Sequence, residues 1–245
     1  MSGSRTREPP PGAVNEALTE RGRLTRSRIL DAALELFRER GYEQTTMRRV
    51  AREAGVSLGN AYYYFRSKEH LIQGYYARSH DDHLAACTPI LERETGLRTR
   101  LRGVLEAKIA TSAAYHQFAG ALFKTAADPR SPLSPFSDES EPTRREATRL
   151  LERVVEGSDV RVSGDLAREL PHLLWLYLMG VILFWIHDDS PRTRRTYRLI
   201  EHTSSLVARL IRLAGNPLLR PLTDSTLRLL RELREDGEGP GRQSL

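Results

Sequence analysis

From Leu24 onward apolar residues recur every three or four positions, as they do along one face of a helix. Ile29, Ala33, Leu36 and Phe37 form the first such face, with Thr25 placed to cap it and Gly41 to stop it. Thr46 starts a second, two-turn pattern through Val50, Ala51 and Ala54, which Gly55 ends. A third short helix over Leu58 to Phe65 is expected if Ala61 and Phe65 supply its inner contacts at four-residue spacing. Ser67 then caps a fourth, running toward Pro89. Beyond Gly96 the periods lengthen, predicting helices over Leu97–Tyr115, Gln117–Ala127, Thr143–Glu156, Asp165–His187 and Arg192–Ala214. Asp128 to Pro142, with four prolines, reads as a loop. Ser190-Pro191 reads as a cap followed by proline at the first helical position. A last apolar spacing, Leu227, Leu230 and Leu233, leaves room for a short helix near the end.

No turn signal flanked by alternating strands appears, so the chain is expected to be all-α. It divides into a disordered polar tail over 1–22, a short-helix unit over 23–71, a longer-helix unit over 72–215 and a tail over 216–245. The run Leu173 to Ile186 is apolar on every side but only 14 residues long. That is short of the ~18 to 20 that cross a bilayer, so a buried helix rather than a membrane span is expected. The first 22 residues lack the apolar stretch of a secretory signal. The lone Cys87 excludes an intrachain disulfide framework and a Cys-rich zinc site, as suits a cytoplasmic protein.

The 245 residues carry a net charge of +6, and the segment 21–80 alone holds twelve Arg and Lys against six Asp and Glu. A positive excess beside a compact motif suits a phosphate-binding surface. In that segment stands Gly55-Val-Ser-Leu-Gly-Asn-Ala-Tyr-Tyr-Tyr-Phe65. Locally Ala61 to Phe65 has strand propensity, but its flanks override it. A short capped helix, a turn led by Gly55 and a second short helix make a helix-turn-helix, whose second helix is presented to the DNA major groove.

The stretch Thr45 to Leu71, preceded by Arg28 to Gln44, resembles the N-terminal DNA-binding domain of the TetR family of transcriptional regulators. The motifs that carry the resemblance are a threonine-led second helix, Ala54-Gly55-Val56-Ser57, Tyr62 with Phe65, and Ser67-Lys68-Glu69 with Leu71. It covers about Leu24 to Leu71; the remainder matches only in length and helical character. The resemblance implies a helix-turn-helix DNA-binding domain followed by a helical ligand-binding and dimerisation domain.

On this reading Thr46, Tyr62, Tyr64 and Lys68 contact DNA phosphates through hydroxyls, amides and a point charge. Base reading falls to Arg48, suited to guanine, and to Ser57, Leu58, Gly59, Asn60 and Tyr63. Leu58-Gly59 offers little hydrogen bonding, so the operator leans on Arg48 and on DNA shape. Each has a plainer alternative: Tyr62 packs over the first helix, Thr46 only caps, and Arg49 and Arg52 are solvated or salt-bridged.

A two-turn recognition helix reads few base pairs, so a homodimer on a palindromic operator is expected. Its interface is expected from the last two long helices. Leu178, Ile182 and Trp185 represent the first of them. Ile200, Val207 and Ala214 at seven-residue spacing, with Thr203, Ser204, Leu210 and Ile211 between, represent the second. The alternative is that these residues form an intramolecular core.

The family resemblance also implies a cavity for a small-molecule effector that releases a repressor from its operator. Tyr115, Phe118, Leu122, Phe123, Trp175 and Met179 are its apolar candidates, with His116 and His172 as polar fixers. His80-Asp81-Asp82-His83 has metal-like spacing but reads better as a solvated stretch of helix, and no metal or cofactor is expected. Without HExxH, GxSxG, a Walker glycine loop or a reactive-cysteine context, no enzyme is expected. A helical adaptor or a non-specific DNA binder is the alternative function. An Arg-rich, Lys-poor composition points to a high-GC bacterial source.

Overall fold

The computed structural model describes residues 11–128, 130–162 and 164–215. Every regular element among them is helical: α1 (Pro11–Gln44), α2 (Met47–Glu53), α3 (Leu58–Tyr64), α4 (Lys68–Arg93), α5 (Leu97–Ser112), α6 (His116–Ala126), α7 (Glu141–Glu156), α8 (Gly164–Ile186) and α9 (Arg194–Ala214), with 3₁₀ turns at Ala113–Tyr115 and Pro191–Thr193. The all-α expectation holds. The suggested helix around Leu227 to Leu233 lies outside the described residues.

Several boundaries differ from the sequence reading. α1 begins at Pro11, so residues 11–22, expected as tail, are helical. Thr25 is therefore inside the helix and caps nothing; its hydroxyl donates to the Arg21 carbonyl (2.9 Å). Gly41 does break α1, at φ 79°, a conformation that a side chain would strain. Pro89 does not end α4, which continues to Arg93. Pro191 opens a 3₁₀ turn rather than α9 itself, because Arg192 and Thr193 adopt positive φ (55° and 51°). What starts α9 is Asp188: its buried carboxylate accepts the Thr196 amide (2.8 Å) and hydroxyl (2.7 Å) and the Ser190 amide (3.0 Å).

Two apolar cores organise the chain. The first joins α1, α2, α3 and the start of α4 through Ile29, Phe37, Val50, Phe65 and Ile72, and it also takes in Phe118 and Leu122 of α6 and Leu133 of the following loop. Packing thus crosses the expected boundary at residue 71. The second core joins the far half of α4 with α5, α7, α8 and α9. Arg100 of α5, 5% exposed, ties that second core together. Its guanidinium donates to the carbonyls of Leu91 (2.7 Å) and Glu94 (2.6 Å) at the end of α4, and of Arg153 (2.7 Å) and Val154 (2.9 Å) in the last turns of α7. One side chain thereby bonds carbonyls at the ends of two helices, where intrahelical partners run out; that of Arg153 also accepts the Gly157 amide (3.3 Å).

α8 is 23 residues long and, by length and composition, apolar enough to cross a membrane. Here it packs between α7, α9 and α6, burying Leu170, Leu174, Leu178, Val181 and Trp185 at three- and four-residue spacing.

Candidate nucleic-acid interface

The local sequence builds α2 and α3 by capping three of their four ends. Thr46 accepts the Arg49 amide (3.3 Å) at the start of α2, and Ser57 accepts the Asn60 amide (3.1 Å) at the start of α3. Between them Gly55, at φ 63°, donates to the Arg52 carbonyl (3.2 Å) and Val56 to the Ala51 carbonyl (2.9 Å). That pair of bonds is a Schellman stop, which requires the left-handed residue that glycine supplies. Ala61 and Phe65 then plug α3 into the first core, both fully buried.

The opposite side of α3 faces solvent. Ser57, Leu58, Gly59 and Asn60 are exposed, as are Tyr62 (46%) and Tyr63 (80%). Four adjacent rings thus divide their work. Phe65 fills the core, Tyr64 braces, and Tyr62 and Tyr63 are offered outward. The Tyr64 ring meets Tyr63 edge-on (5.1 Å) and turns its hydroxyl toward α1, 3.5 Å from where a Gly22 Cβ would stand. Tyr64 is therefore half-buried against α1, a bracing place that the phosphate-contact expectation had not foreseen.

Arg48 is exposed, with no hydrogen bond among the described residues, so its planar fork is free. Arg49, half-exposed, donates to the Gln44 carbonyl (2.7 Å) and makes no salt bridge among the described residues. Lys68 is engaged too. Its ammonium donates to the Tyr42 carbonyl (3.0 Å) and lies 4.2 Å above the Tyr42 ring, while Glu69 accepts the Tyr42 hydroxyl (2.8 Å). Burial, with the hydrogen bond to Glu69, raises the Tyr42 hydroxyl far above its ordinary pKa, so it stays a donor. Partial burial pushes the Glu69 carboxyl up, but hydrogen bonds from Ser67 and Tyr42 and the charge of Lys68 outweigh it and leave the pKa lowered. This clamp fixes the end of α1 to the start of α4, and nothing in the apolar period marked Tyr42 for it.

A second surface lies on α8 and α9. Leu178, Trp185, Ile200, Ser204 and Ile211, expected at a dimer interface, are all buried inside the protomer. Ile182, Thr203, Val207 and Ala214 are half-buried at its margin, with Thr203 hydrogen-bonded to Tyr177 (2.5 Å), and Leu210 alone is well exposed. The seven-residue spacing traced the inner face of α9. The adjacent face carries Leu206, Leu210 and Leu213, each more than half exposed, and α8 contributes Leu176, Leu183 and Phe184.

The residues expected to line an effector cavity do not share one space. Phe118 and Leu122 belong to the first core, where Phe118 stacks on Phe37 (5.4 Å) and meets Tyr75 (5.5 Å). Trp175 is buried in the second, between His172 and Phe136. These three are packing. Tyr115, His116, Phe123, His172 and Met179 stay partly accessible, and the His116 ring bonds the Trp185 carbonyl (2.7 Å), joining α6 to α8. His80 and His83 are buried rather than solvated. Burial lowers the pKa of both, that of His83 to about 3, and its Nε2 meets the Val104 carbonyl (2.8 Å). No group of three metal-ligating side chains exists among the described residues.

Comparison with known proteins places two family models on the chain: "Bacterial regulatory proteins, tetR family" over residues 29–75, and "Tetracyclin repressor-like, C-terminal domain" over residues 100–229. The HTH-type transcriptional regulator UidR of Escherichia coli is 45% identical over 49 residues, 20% of this chain and 25% of UidR. The HTH-type transcriptional repressor KstR of Rhodococcus jostii is 51% identical over 53 residues, 22% of this chain and 25% of KstR. The chain thus spans about a quarter of the length of these curated relatives. Among solved structures, a TetR transcriptional regulator from Nitrosomonas europaea matches with a TM-score of 0.56 at 20% identity, over 75% of this chain and 97% of the other. FadR from Bacillus subtilis, solved in complex with stearoyl-CoA, matches with a TM-score of 0.56 at 16% identity, over 73% and 96%.

Proposed function

The chain belongs to the TetR family of DNA-binding transcriptional regulators, and from that premise we propose that it is a cytoplasmic homodimer that represses transcription from a palindromic operator until a small, mostly apolar effector releases it. The observation that carries the reading is α3: capped, plugged by Ala61 and Phe65, and exposing Leu58, Asn60, Tyr62 and Tyr63 on one face. Arg48 supplies the guanine contact, Asn60 an adenine contact, and Leu58 and Tyr63 the apolar contacts to thymine methyls. Thr46 and Tyr62 hold phosphates. Lys68 keeps two N–H donors beyond the one on Tyr42, so it serves the backbone from a clamped position.

Two such helices must be held at a fixed spacing, and the exposed leucines of α8 and α9 supply the means. A four-helix contact between protomers covers Leu176, Leu183, Phe184, Leu206, Leu210 and Leu213. The effector enters at the seam of α6 and α8, among the partly accessible Tyr115, His116, Phe123, His172 and Met179. Since α6 also packs on α1, wedging that seam shifts the DNA-binding unit, and the effector favours the spacing that does not fit DNA.

Selection of bound sequences from a random duplex pool tests the proposal. A palindrome should emerge, and Arg48→Ala should relax one position of each half-site by about 1 to 3 kcal/mol. A pool with no enrichment would refute sequence-specific regulation and leave a non-specific binder or an adaptor.

A further inference from the structure

The helix α1 does more than brace the DNA-binding unit. It starts at Pro11, and its segment 20–28 carries Arg21, Arg23, Arg26 and Arg28 against Glu20 alone. This segment immediately precedes residues 29–75, which match the DNA-binding domain of the family. Two contacts dock it beside the recognition helix. Gly22 lies against the Tyr64 hydroxyl, and the Arg26 guanidinium stands 4.8 Å over the Phe65 ring. Tyr64 is the last residue of α3 and neighbours Tyr63, the most exposed ring of the DNA-facing surface.

Successive helical residues are 100° apart, so Arg21 and Arg23 flank the line along which Gly22 meets Tyr64, one on each side. Both are exposed, and neither guanidinium has a hydrogen bond or ion pair among the described residues. A Cβ at Gly22 would stand in ordinary contact with the Tyr64 hydroxyl, so the two helices lie side by side at this point.

We propose that Arg21 and Arg23 form a second DNA-binding element, gripping backbone phosphates of the duplex that flanks the bases read by α3. Phosphate rather than base contact follows from the placement: two exposed guanidiniums on a helix lying beside the recognition helix gain by charge alone. The element widens the footprint and strengthens binding without altering sequence preference.

The inference rests on DNA being the partner. The test uses the full chain, wild type and the double variant R21A/R23A, titrated at several salt concentrations on the selected operator with long flanks, on the same operator trimmed to its core, and on an unselected duplex. Losing two phosphate contacts from each protomer, four per dimer, should make the slope of log K against log salt shallower by about 3.6 and weaken binding of order 1,000-fold at 0.1 M salt. R21K/R23K should restore most of the slope, and the thermal midpoint should not change. On the trimmed duplex wild type and variant should converge. Equal slopes on the long duplex, or a difference that persists on the trimmed one, would overturn the proposal. If no duplex is preferred yet the slopes differ on the unselected one, operator recognition fails and the α1 contact stands.

Discussion

Replacing Leu206 and Leu210 by glutamate tests which face of α9 meets a second protomer. Each leucine is more than half exposed in the protomer (56% and 54%) and would be covered in the proposed dimer. Burying a whole leucine stabilises by about 1.5 to 3 kcal/mol, so covering half of one contributes about 1 kcal/mol. A two-fold axis doubles the pair, giving about 4 kcal/mol, or about a thousandfold in the dimer dissociation constant at 1.4 kcal/mol per decade. Four carboxylates facing one another add repulsion. Sedimentation velocity across a concentration series should therefore show monomer for the variant where wild type is dimeric, with an unchanged helical circular dichroism spectrum. The control is Ile200→Ala, on the buried face of the same helix. It should lower stability by about 2 to 5 kcal/mol while the dimer persists. If L206E/L210E stays dimeric, or if Ile200→Ala dissociates the dimer without destabilising the fold, the face has been assigned wrongly.

Two further outcomes follow from polar groups that organise the second core. In Gly157→Ala a Cβ would overlap the Arg100 guanidinium, so at least one carbonyl bond of that network should be lost, lowering unfolding free energy by about 1 to 3 kcal/mol in denaturant titration. Burial alone would raise the Asp188 pKa, but hydrogen bonds from Ser190 and Thr196 bring it from 3.8 to about 2. A depressed folded-state pKa means stability is present above pH ~4 and lost as pH falls toward about 2. Thermal unfolding of Asp188→Asn should show a weaker pH dependence across that window than wild type, and equal dependence would exclude the role.

Helix type and order were legible because apolar spacing and capping chemistry are local. Thr46, Ser57, Gly55 and Ser67 each announce a helix end by what their own side chain or backbone can do, and the structure uses all four that way. Thr25 failed because a capping residue is also tolerated inside a helix when its hydroxyl bonds back to the preceding turn. Which side of an apolar helix faces inward was not legible. α8 is apolar all round from Leu173 to Ile186 and α9 offers two adjacent stripes, so only the positions of α5 and α8 decide that Ile200 goes in and Leu206 stays out. Lys68 and Tyr42 are 26 residues apart, and the clamp between them depends on the break at Gly41. The effector residues were misgrouped for a related reason: α6 reads as part of the second domain, yet half of it packs in the first core.

That placement of α6 makes the two units mechanically one, which Phe118→Ala can test. On one side Phe118 stacks almost parallel on Phe37 of α1 and meets Tyr75 of α4 edge-on. On the other, His116 bonds the Trp185 carbonyl and Phe123 meets His187 at 5.8 Å. Removing a buried phenylalanine costs about 3 to 5 kcal/mol, and here the loss falls on the first core alone. Both tryptophans of the chain, Trp175 and Trp185, sit in the second core, so their fluorescence reports that core, whereas circular dichroism reports every helix. In wild type the two signals should unfold together in urea, because α4 and α6 span both cores. In Phe118→Ala the circular dichroism should begin to fall at lower urea than the fluorescence, as α1 to α3 melt away from a surviving second core. Coincident curves shifted equally would mean that the cores are coupled chiefly through α4, and the signal path through α6 would have to be given up.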